Sequence, residues 1–258
     1  AAEHLTPVTL ELGGKSPCVV DATAKLDLAA KRLVFGKLLN CGQTCVAPDY
    51  LLIDGRVKDQ FLSHVKKWMT AMYGQDPLDN QGYVRMINRK HYDRVMGLID
   101  PAKVVYGGRG DPDTLKIQPT ILDGVSPEDP VMQEEIFGPL LPVLTYDTLD
   151  RAVEFINSRP HPLALYLFSE DRAAQERFLR QVPFGGGCVN DTIIHLATSR
   201  MGFGGVGDSG MGSYHGKLSF DTFSHRKSVV KKSTWMDMPV RYAPYTALQE
   251  KLLRLFLR

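Results

Sequence analysis

Leu38-Leu39-Asn40-Cys41-Gly42-Gln43-Thr44-Cys45-Val46-Ala47-Pro48-Asp49 joins two segments of different period. Before it, Leu26, Ala29, Ala30, Leu33 and Val34 recur at helical spacing, which predicts a helix from Leu26 to about Asn40. After it, Tyr50-Leu51-Leu52-Ile53 is a continuous apolar strand stopped by Asp54-Gly55. A helix passing through a short turn into a buried strand is half of an α/β unit. The alternation continues outward. Pro7–Leu12 reads as a strand ending at Gly13-Gly14, and Cys18–Asp21 as another. Helices are expected over Val57–Tyr73, Asn88–Ile99, Leu149–Ser158 and Arg172–Val182. Strands are expected over Lys103–Tyr106, Thr120–Leu122, Leu140–Tyr146, Leu163–Phe168 and Cys188–Asn190. The fold class is therefore α/β, a parallel-rich sheet covered by helices. From Gly202 the character changes. Gly202–Gly212 is glycine-rich, Phe220–Lys232 has strand-like content suited to a projecting arm, and Thr246–Arg258 reads as a short helix with Thr246 and Gln249 as its capping box.

Composition narrows the function classes. The chain has 258 residues, 43% of them hydrophobic, enough for one large domain or two small ones. A formal net charge of +2 argues against a nucleic-acid surface, which needs a basic excess on one face. Cysteines at 18, 41, 45 and 188 are too sparse for a disulfide framework, so a reducing, cytoplasmic setting is expected. No apolar run is long enough to cross a bilayer, and no secretory leader is visible. The chain opens Ala1-Ala2-Glu3 without methionine, so a piece of a longer protein is the expectation.

Two stretches carry chemistry. In Leu10-Glu11-Leu12-Gly13-Gly14-Lys15-Ser16-Pro17 a carboxylate closes a strand and two glycines allow close approach of backbone or ligand. On residue type alone, Glu11 is an ordinary solvated glutamate. In the Leu38–Asp49 run, Cys45 sits on a turn between helix and strand, where a substrate can reach it and backbone amides can meet a developing oxyanion. A thiol is only a few per cent ionised near neutrality, so it needs activation by a base or by its surroundings. The competing reading is a buried, inert cysteine. Cys41 and Cys45 lack a second Cys/His pair at structural-zinc spacing, so no metal is expected.

Together the two stretches resemble the paired active-site signatures of the aldehyde dehydrogenase superfamily. Glu11 in ELGGKSP and Cys45 in NCGQTCVAPD occur in the family's order, 34 residues apart. Pro130-Val131-Met132-Gln133-Glu134-Glu135-Ile136-Phe137-Gly138-Pro139 resembles its cofactor-contact motif. Phe203–Lys217, Phe220–Arg226 and Val240–Pro244 are similar to the class 3 branch, which includes fatty- and aromatic-aldehyde enzymes. The resemblance covers nearly the whole chain and is weakest in the tail.

The resemblance implies oxidation of an aldehyde to a carboxylic acid with NAD or NADP. Cys45 would be the nucleophile, passing through a thiohemiacetal and a thioester, and Glu11 the general base. Glu135 would bond the nicotinamide ribose, Phe137 would pack near the nicotinamide ring, and Leu12 and Gly13 would line that end through backbone. The fold would be the aldehyde-dehydrogenase catalytic domain with most of the Rossmann-like cofactor domain absent. Residues 1–12 would be its remnant, 13–206 the catalytic domain, 207–236 a C-terminal loop and oligomerisation arm, and 237–258 a tail helix. Missing with the cofactor domain would be the family's asparagine oxyanion donor, its adenosine-binding lysine and its phosphate-facing turn. Weak NAD(P) binding by the chain alone is the expectation, as is an open edge on Pro7–Leu12. Met201-Gly202 replaces the family's usual Leu-Pro, which loosens the loop before Phe203.

The expected partners are an aldehyde, a second copy of the chain in a homodimer, and no nucleic acid. Leu248, Leu252, Leu255 and Phe256 form an apolar helix face beside Lys251, Arg254 and Arg258. That face suits packing on protein, with membrane-surface contact as the second reading. Gly202–Gly207 fits G-x-G-x-x-G but continues as loop through Gly212, so it is not read as a dinucleotide fingerprint. His195 resembles a position near the class 3 substrate funnel, and a packing histidine is the alternative. Asn40 reads as a turn residue, Lys15 as structural, and Cys18 and Cys188 as core. Two other functions are open: a cofactor-independent cysteine esterase using Cys45 and Glu11, and a non-catalytic interaction module.

Overall fold

Strands β2 (Pro17–Val20), β3 (Tyr50–Asp54), β8 (Leu140–Tyr146), β9 (Ala164–Phe168) and β10 (Gly186–Val189) are the continuous apolar runs of the sequence, and they form one sheet. β4 (Val104–Tyr106) and β7 (Thr120–Leu122) complete it in the order β10-β9-β2-β3-β8-β7-β4. The computed structural model describes residues 1–256. All neighbours in the sheet are parallel except β4, which runs antiparallel to β7 at the edge.

Successive strand residues face opposite sides, so a sheet covered on both faces needs apolar residues at every position. Cys18, Val20, Leu51 and Ile53 pack on one face with Leu33 and Val34 of α1 (Leu26–Leu38) and Phe61, Val65 and Met69 of α2 (Lys58–Tyr73). Val19, Leu52, Leu144 and Leu167 pack on the other with α3 (Arg89–Gly97), α4 (Leu149–Asn157) and α5 (Arg172–Gln181), through Tyr92, Val95, Val153, Ile156 and Phe178. Each such buried side chain stabilises the fold by about 1.5–3 kcal/mol. Asn88, Thr148 and Asp171 cap α3, α4 and α5 by accepting a backbone N–H from His91, Arg151 and Ala173.

Three expectations need correction. Only Leu10–Glu11 (β1) of the Pro7–Leu12 run is strand, and it has a ladder partner on one side, which leaves its other edge unpaired as expected. It pairs antiparallel with Gly210–Met211 (β11), and Leu12 N–H donates to Ser209 O at 3.1 Å. A small hairpin of β5 (Gly110–Asp111) and β6 (Lys116–Ile117) was not expected; strands of two residues carry no readable period. Phe220–Lys232 contains no strand: α6 (Gly216–Thr222) enters it, and no partner strand offers its backbone a ladder.

The chain divides into two units, Ala1–Phe223 and a second from Ser224 onward. In the second, Asp237 binds Lys232 and the Tyr242 hydroxyl, and α7 (Ala247–Phe256) begins at the expected capping box. There Thr246 N–H donates to Gln249 Oε1 at 2.8 Å, and Gln249 N–H to Thr246 Oγ1 at 3.3 Å. Leu248, Leu252 and Leu255 of α7 are exposed. Arg258 and the Phe256 side chain lie outside the described residues. No described helix is long and apolar enough to cross a membrane.

Candidate active site

The segments singled out for chemistry all enter the sheet at the amino ends of parallel strands. Residues 11–14 precede β2, the Cys45 turn precedes β3 and the Glu135 loop precedes β8. This is opposite to the usual place of ligands in open α/β sheets, beyond the carboxyl ends.

The Cys45 turn is built by backbone that α1 cannot continue. Asn40, Cys41 and Gly42 lie in the left-handed region, at φ of 52°, 57° and 75°. Gln43 clamps the reversal: its amide donates to the carbonyls of Asn40 and Arg85 at 3.1 Å each, and its Oε1 accepts from Ile87 N–H at 2.9 Å. Asn40 donates to Gln43 O at 3.1 Å, which makes it the turn residue expected. Gly42 is required twice. Besides its φ, a Cβ there would stand 2.2 Å from Gly138 O, on the loop of the third motif.

Lys15 and Asp49 stitch the three motifs together. They form a buried ion pair. Lys15 Nζ also donates to Val131 O and Glu134 O at 2.8 Å each, and Asp49 Oδ1 accepts from Ile136 N–H at 2.9 Å. Lys15 is thus structural, as its position suggested. Lys37, fully buried on α1, adds a second cation here. Burial brings its ammonium down to about 8 against the pull of Asp49.

The four thiols have different surroundings, and all are free. Cys18 is core. Cys41 is buried, donates to Tyr83 Oη at 3.4 Å and is pushed by burial up to about 11. Cys188 is less buried than expected, though it packs against the core. It is half-buried on the edge strand β10, with Sγ 3.5 Å from His195 Nδ1. Cys45 is half-buried, and its thiol is raised by burial first and then by the charges of Glu11 and Glu135. The backbone amides of Cys45 and Val46 point at the sulfur and oppose that rise. Sulfur and both carboxylates therefore share one edge of the sheet, and the resting thiol is neutral.

Glu11 is exposed on β1, and its Oε2 accepts a 2.6 Å hydrogen bond from Tyr214 Oη. The hydrogen bond to Glu11, then burial and the Glu11 charge, hold that phenol up at about 12, so it is a donor at neutral pH. Glu135 is partly buried. Burial, then the Asp49 charge, bring its carboxyl up to about 7, against the pull of Gly14 N–H, Lys15 and Arg94. Its Oε2 occupies the space beside Gly13, where a Cβ would approach it to 2.8 Å at φ +76°. A cavity of about 190 Å³ bordered by Gly14, Lys15, Tyr50, Glu135 and Arg159 adjoins it. Leu12 and Phe137 are exposed on the flanking turns, Phe137 at a left-handed φ of 48°.

These groups place a thiol, a carboxylate able to take a proton, a second carboxylate able to bind hydroxyls, and apolar surface on one rim. The aldehyde dehydrogenase family matches residues 1–229. The chain belongs to the aldehyde dehydrogenase family. It is 52% identical over 247 residues to the 4,4'-diaponeurosporen-aldehyde dehydrogenase of Staphylococcus aureus, covering 95% of this chain and 54% of that protein. Against the dimeric NADP-preferring aldehyde dehydrogenase of Rattus norvegicus it is 51% identical over 233 residues, 90% of this chain and 51% of the relative. The substrate-bound structure of S. aureus AldH superposes with a TM-score of 0.97 at 49% identity, covering 100% of this chain and 57% of that one. The chain spans about half the length of the curated relatives it matches. The class 3 resemblance and the α/β fold agree with these relatives.

Sequence reading missed several residues of this aldehyde dehydrogenase edge. Tyr214 is remote in sequence from Glu11 and shares no short-range pattern with it. Lys37 falls among the apolar positions of α1 and offered no charge pattern to read. Among the described residues, two buried side-chain polar atoms lack a hydrogen-bond partner, Thr44 Oγ1 and His195 Nε2. Both flank Cys45. Thr44 precedes it, and the His195 ring lies 6.0 Å from that of Tyr166, whose hydroxyl donates to Val46 O at 2.6 Å. His195 is buried against Cys188 and Tyr166, which agrees with the packing reading rather than with an open funnel lining.

Proposed function

We propose that the protein containing this chain oxidises an aldehyde to a carboxylic acid with NAD or NADP, using Cys45 as nucleophile and Glu11 as general base. The observation that carries the reading is the common rim: a half-buried neutral thiol within the electrostatic reach of two carboxylates, with backbone amides aimed at its sulfur. Cys45 sulfur adds to the carbonyl carbon while its S–H proton passes to the carbonyl oxygen, giving a thiohemiacetal. The amides of Cys45 and Val46 are placed to meet the charge that develops on oxygen. A nicotinamide, when bound, would supply the two-electron acceptor for the hydrogen on that carbon, with the hydroxyl proton lost to solvent. After oxidation the acyl group is a thioester on Cys45, and Glu11 takes a proton from the water that hydrolyses it.

The residues present fit the nicotinamide-ribose end of such a cofactor. Glu135 offers a carboxylate to ribose hydroxyls, Gly13 leaves the room beside it that any side chain would fill, and Leu12 and Phe137 offer apolar contact. The name of the S. aureus relative supports a long apolar aldehyde, and that of the rat relative supports NADP beside NAD. We further propose a homodimer in the cytoplasm, with residues 207–236 contributing to the interface. The exposed α7 face is assigned to packing on protein; liposome co-sedimentation with and without residues 246–258 tests the membrane alternative, which equal binding would end.

The deciding test is turnover of a medium-chain aldehyde by the full-length enzyme, followed through the reduced cofactor. Cys45→Ser is expected to abolish turnover. Glu11→Gln is expected to retain one burst of reduced cofactor and lose the steady state by about 10²–10⁴-fold. Full activity in Cys45→Ser overturns the assignment. Ester hydrolysis without any aldehyde oxidation would favour the cysteine esterase instead.

A further inference from the structure

Glu11 stands on a strand of two residues with its side chain exposed, yet one of its oxygens is already held. A glutamate in that setting ordinarily samples many rotamers, and a general base must be held within hydrogen-bond reach of one water. The hold comes from the far end of the same compact unit. Tyr214 Oη donates to Glu11 Oε2 at 2.6 Å. Tyr214 is itself fixed: its N–H and C=O exchange hydrogen bonds with Phe203 at 2.9 and 2.8 Å. Its ring meets the rings of Phe203 and His215 edge-on at 6.1 and 4.8 Å, and Phe203 is buried in the core. The backbone of the same loop pairs with Glu11 itself, Gly210 opposite Glu11 and Met211 opposite Leu10.

We propose that Tyr214 is the positioning residue for the general base. Its hydroxyl fixes Oε2 of Glu11 so that Oε1 is presented to the water that attacks the Cys45 thioester. This rests on the function proposed above and adds a residue to it. In the step concerned, the water O–H bond breaks and its proton goes to Glu11 Oε1 while the water oxygen bonds to the acyl carbon. The C–S bond then breaks, the carboxylic acid leaves, and the proton returns from Glu11 to the Cys45 sulfur. Tyr214 keeps its proton throughout. It acts on hydrolysis of the thioester and not on its formation, which separates it from a residue that merely supports the loop.

The test uses p-nitrophenyl acetate without cofactor, so that acylation of Cys45 appears as a burst of nitrophenolate and deacylation as the linear phase. Mass spectrometry of the acetyl-Cys45 adduct reads the same step directly. Tyr214→Phe keeps the ring and removes the hydroxyl. Expected are a burst rate within about twofold of the parent and a linear phase slower by about ten- to a hundredfold, part of the 10²–10⁴ available from a general base. Glu11→Gln should slow the linear phase at least as much, and the double variant should be no slower than Glu11→Gln alone. An unchanged linear phase in Tyr214→Phe overturns the proposal, as does an equal fall of burst and linear phase, or full additivity in the double variant. If Glu11→Gln leaves deacylation intact, or the parent fails to hydrolyse its adduct, the function proposed above fails. If Glu11→Gln is slow and Tyr214→Phe is not, only the role of Tyr214 fails.

Discussion

Replacing Lys37 by Met tests the electrostatics beneath the nucleophile. Lys37 is 1% exposed and shares its surroundings with Asp49, Lys15, Cys41 and Glu135. Burial takes its ammonium from 10.5 to about 8. Holding the charged form at neutral pH therefore costs the folded state about 3 kcal/mol relative to the unfolded chain. The sign follows from proton counts. Between pH 8 and 10.5 the unfolded chain keeps a proton on Lys37 that the folded chain has released, so this residue's contribution to stability rises with pH across that window. It is lost again as pH falls through 8. The Lys37→Met variant should be more stable than the parent at pH 7, since an apolar side chain of similar length replaces a desolvated charge. That advantage should shrink by about 3 kcal/mol by pH 10.5. Urea denaturation of both proteins at pH 7, 8, 9 and 10.5 measures it. Taking the difference between them removes the titration of buried tyrosines and thiols common to both. A difference constant within about 0.5 kcal/mol from pH 7 to 10.5 would refute the reasoning.

Three other outcomes are expected. Gly42→Ala places a methyl 2.2 Å from Gly138 O at φ +75°, between backbone on both sides. It should cost about 3 kcal/mol and lower Tm by about 6–12 °C in a scanning experiment, and a Tm within 2 °C of the parent would contradict it. Iodoacetamide followed by peptide mass mapping should modify Cys45 and Cys188 in the folded protein and leave Cys18 and Cys41 unlabelled until denaturant is added. Glu135, raised to about 7, is protonated in the folded state over a range where the unfolded chain has lost its proton. Its contribution to stability is full below about 4.5 and lost as pH rises through 7, so Glu135→Gln should be more stable than the parent at pH 8 and no better at pH 4.5, by urea midpoints.

Much of this architecture is legible in the chain because two-sided burial leaves a strong mark. β2, β3, β8 and β9 read as uninterrupted apolar runs, and α3, α4 and α5 announce themselves by Asn88, Thr148 and Asp171 at their starts. Glu11, Cys45 and Glu135 are legible only through the family resemblance, since each alone has an ordinary structural reading. What escaped depends on partners distant in sequence. Leu10–Glu11 is readable as strand, but its pairing with Gly210–Met211 is not, since no local period encodes a two-residue pairing. Tyr214 is likewise one of ten tyrosines until the fold brings it to Glu11. Phe220–Lys232 shows the converse, since β-prone residues without a neighbouring ladder do not make a strand.

Because the chemistry gathers where the parallel strands begin, the opposite rim of the sheet is left to other uses. Turns such as Asp54-Gly55-Arg56, Asp147-Thr148 and Ser169-Glu170-Asp171 follow strands β3, β8 and β9 and lie a full strand length from Cys45. A fluorophore, affinity tag or surface tether grafted onto that rim would leave the reactive thiol unobstructed. Immobilised there, the protein would present its nucleophile outward, toward whatever flows past.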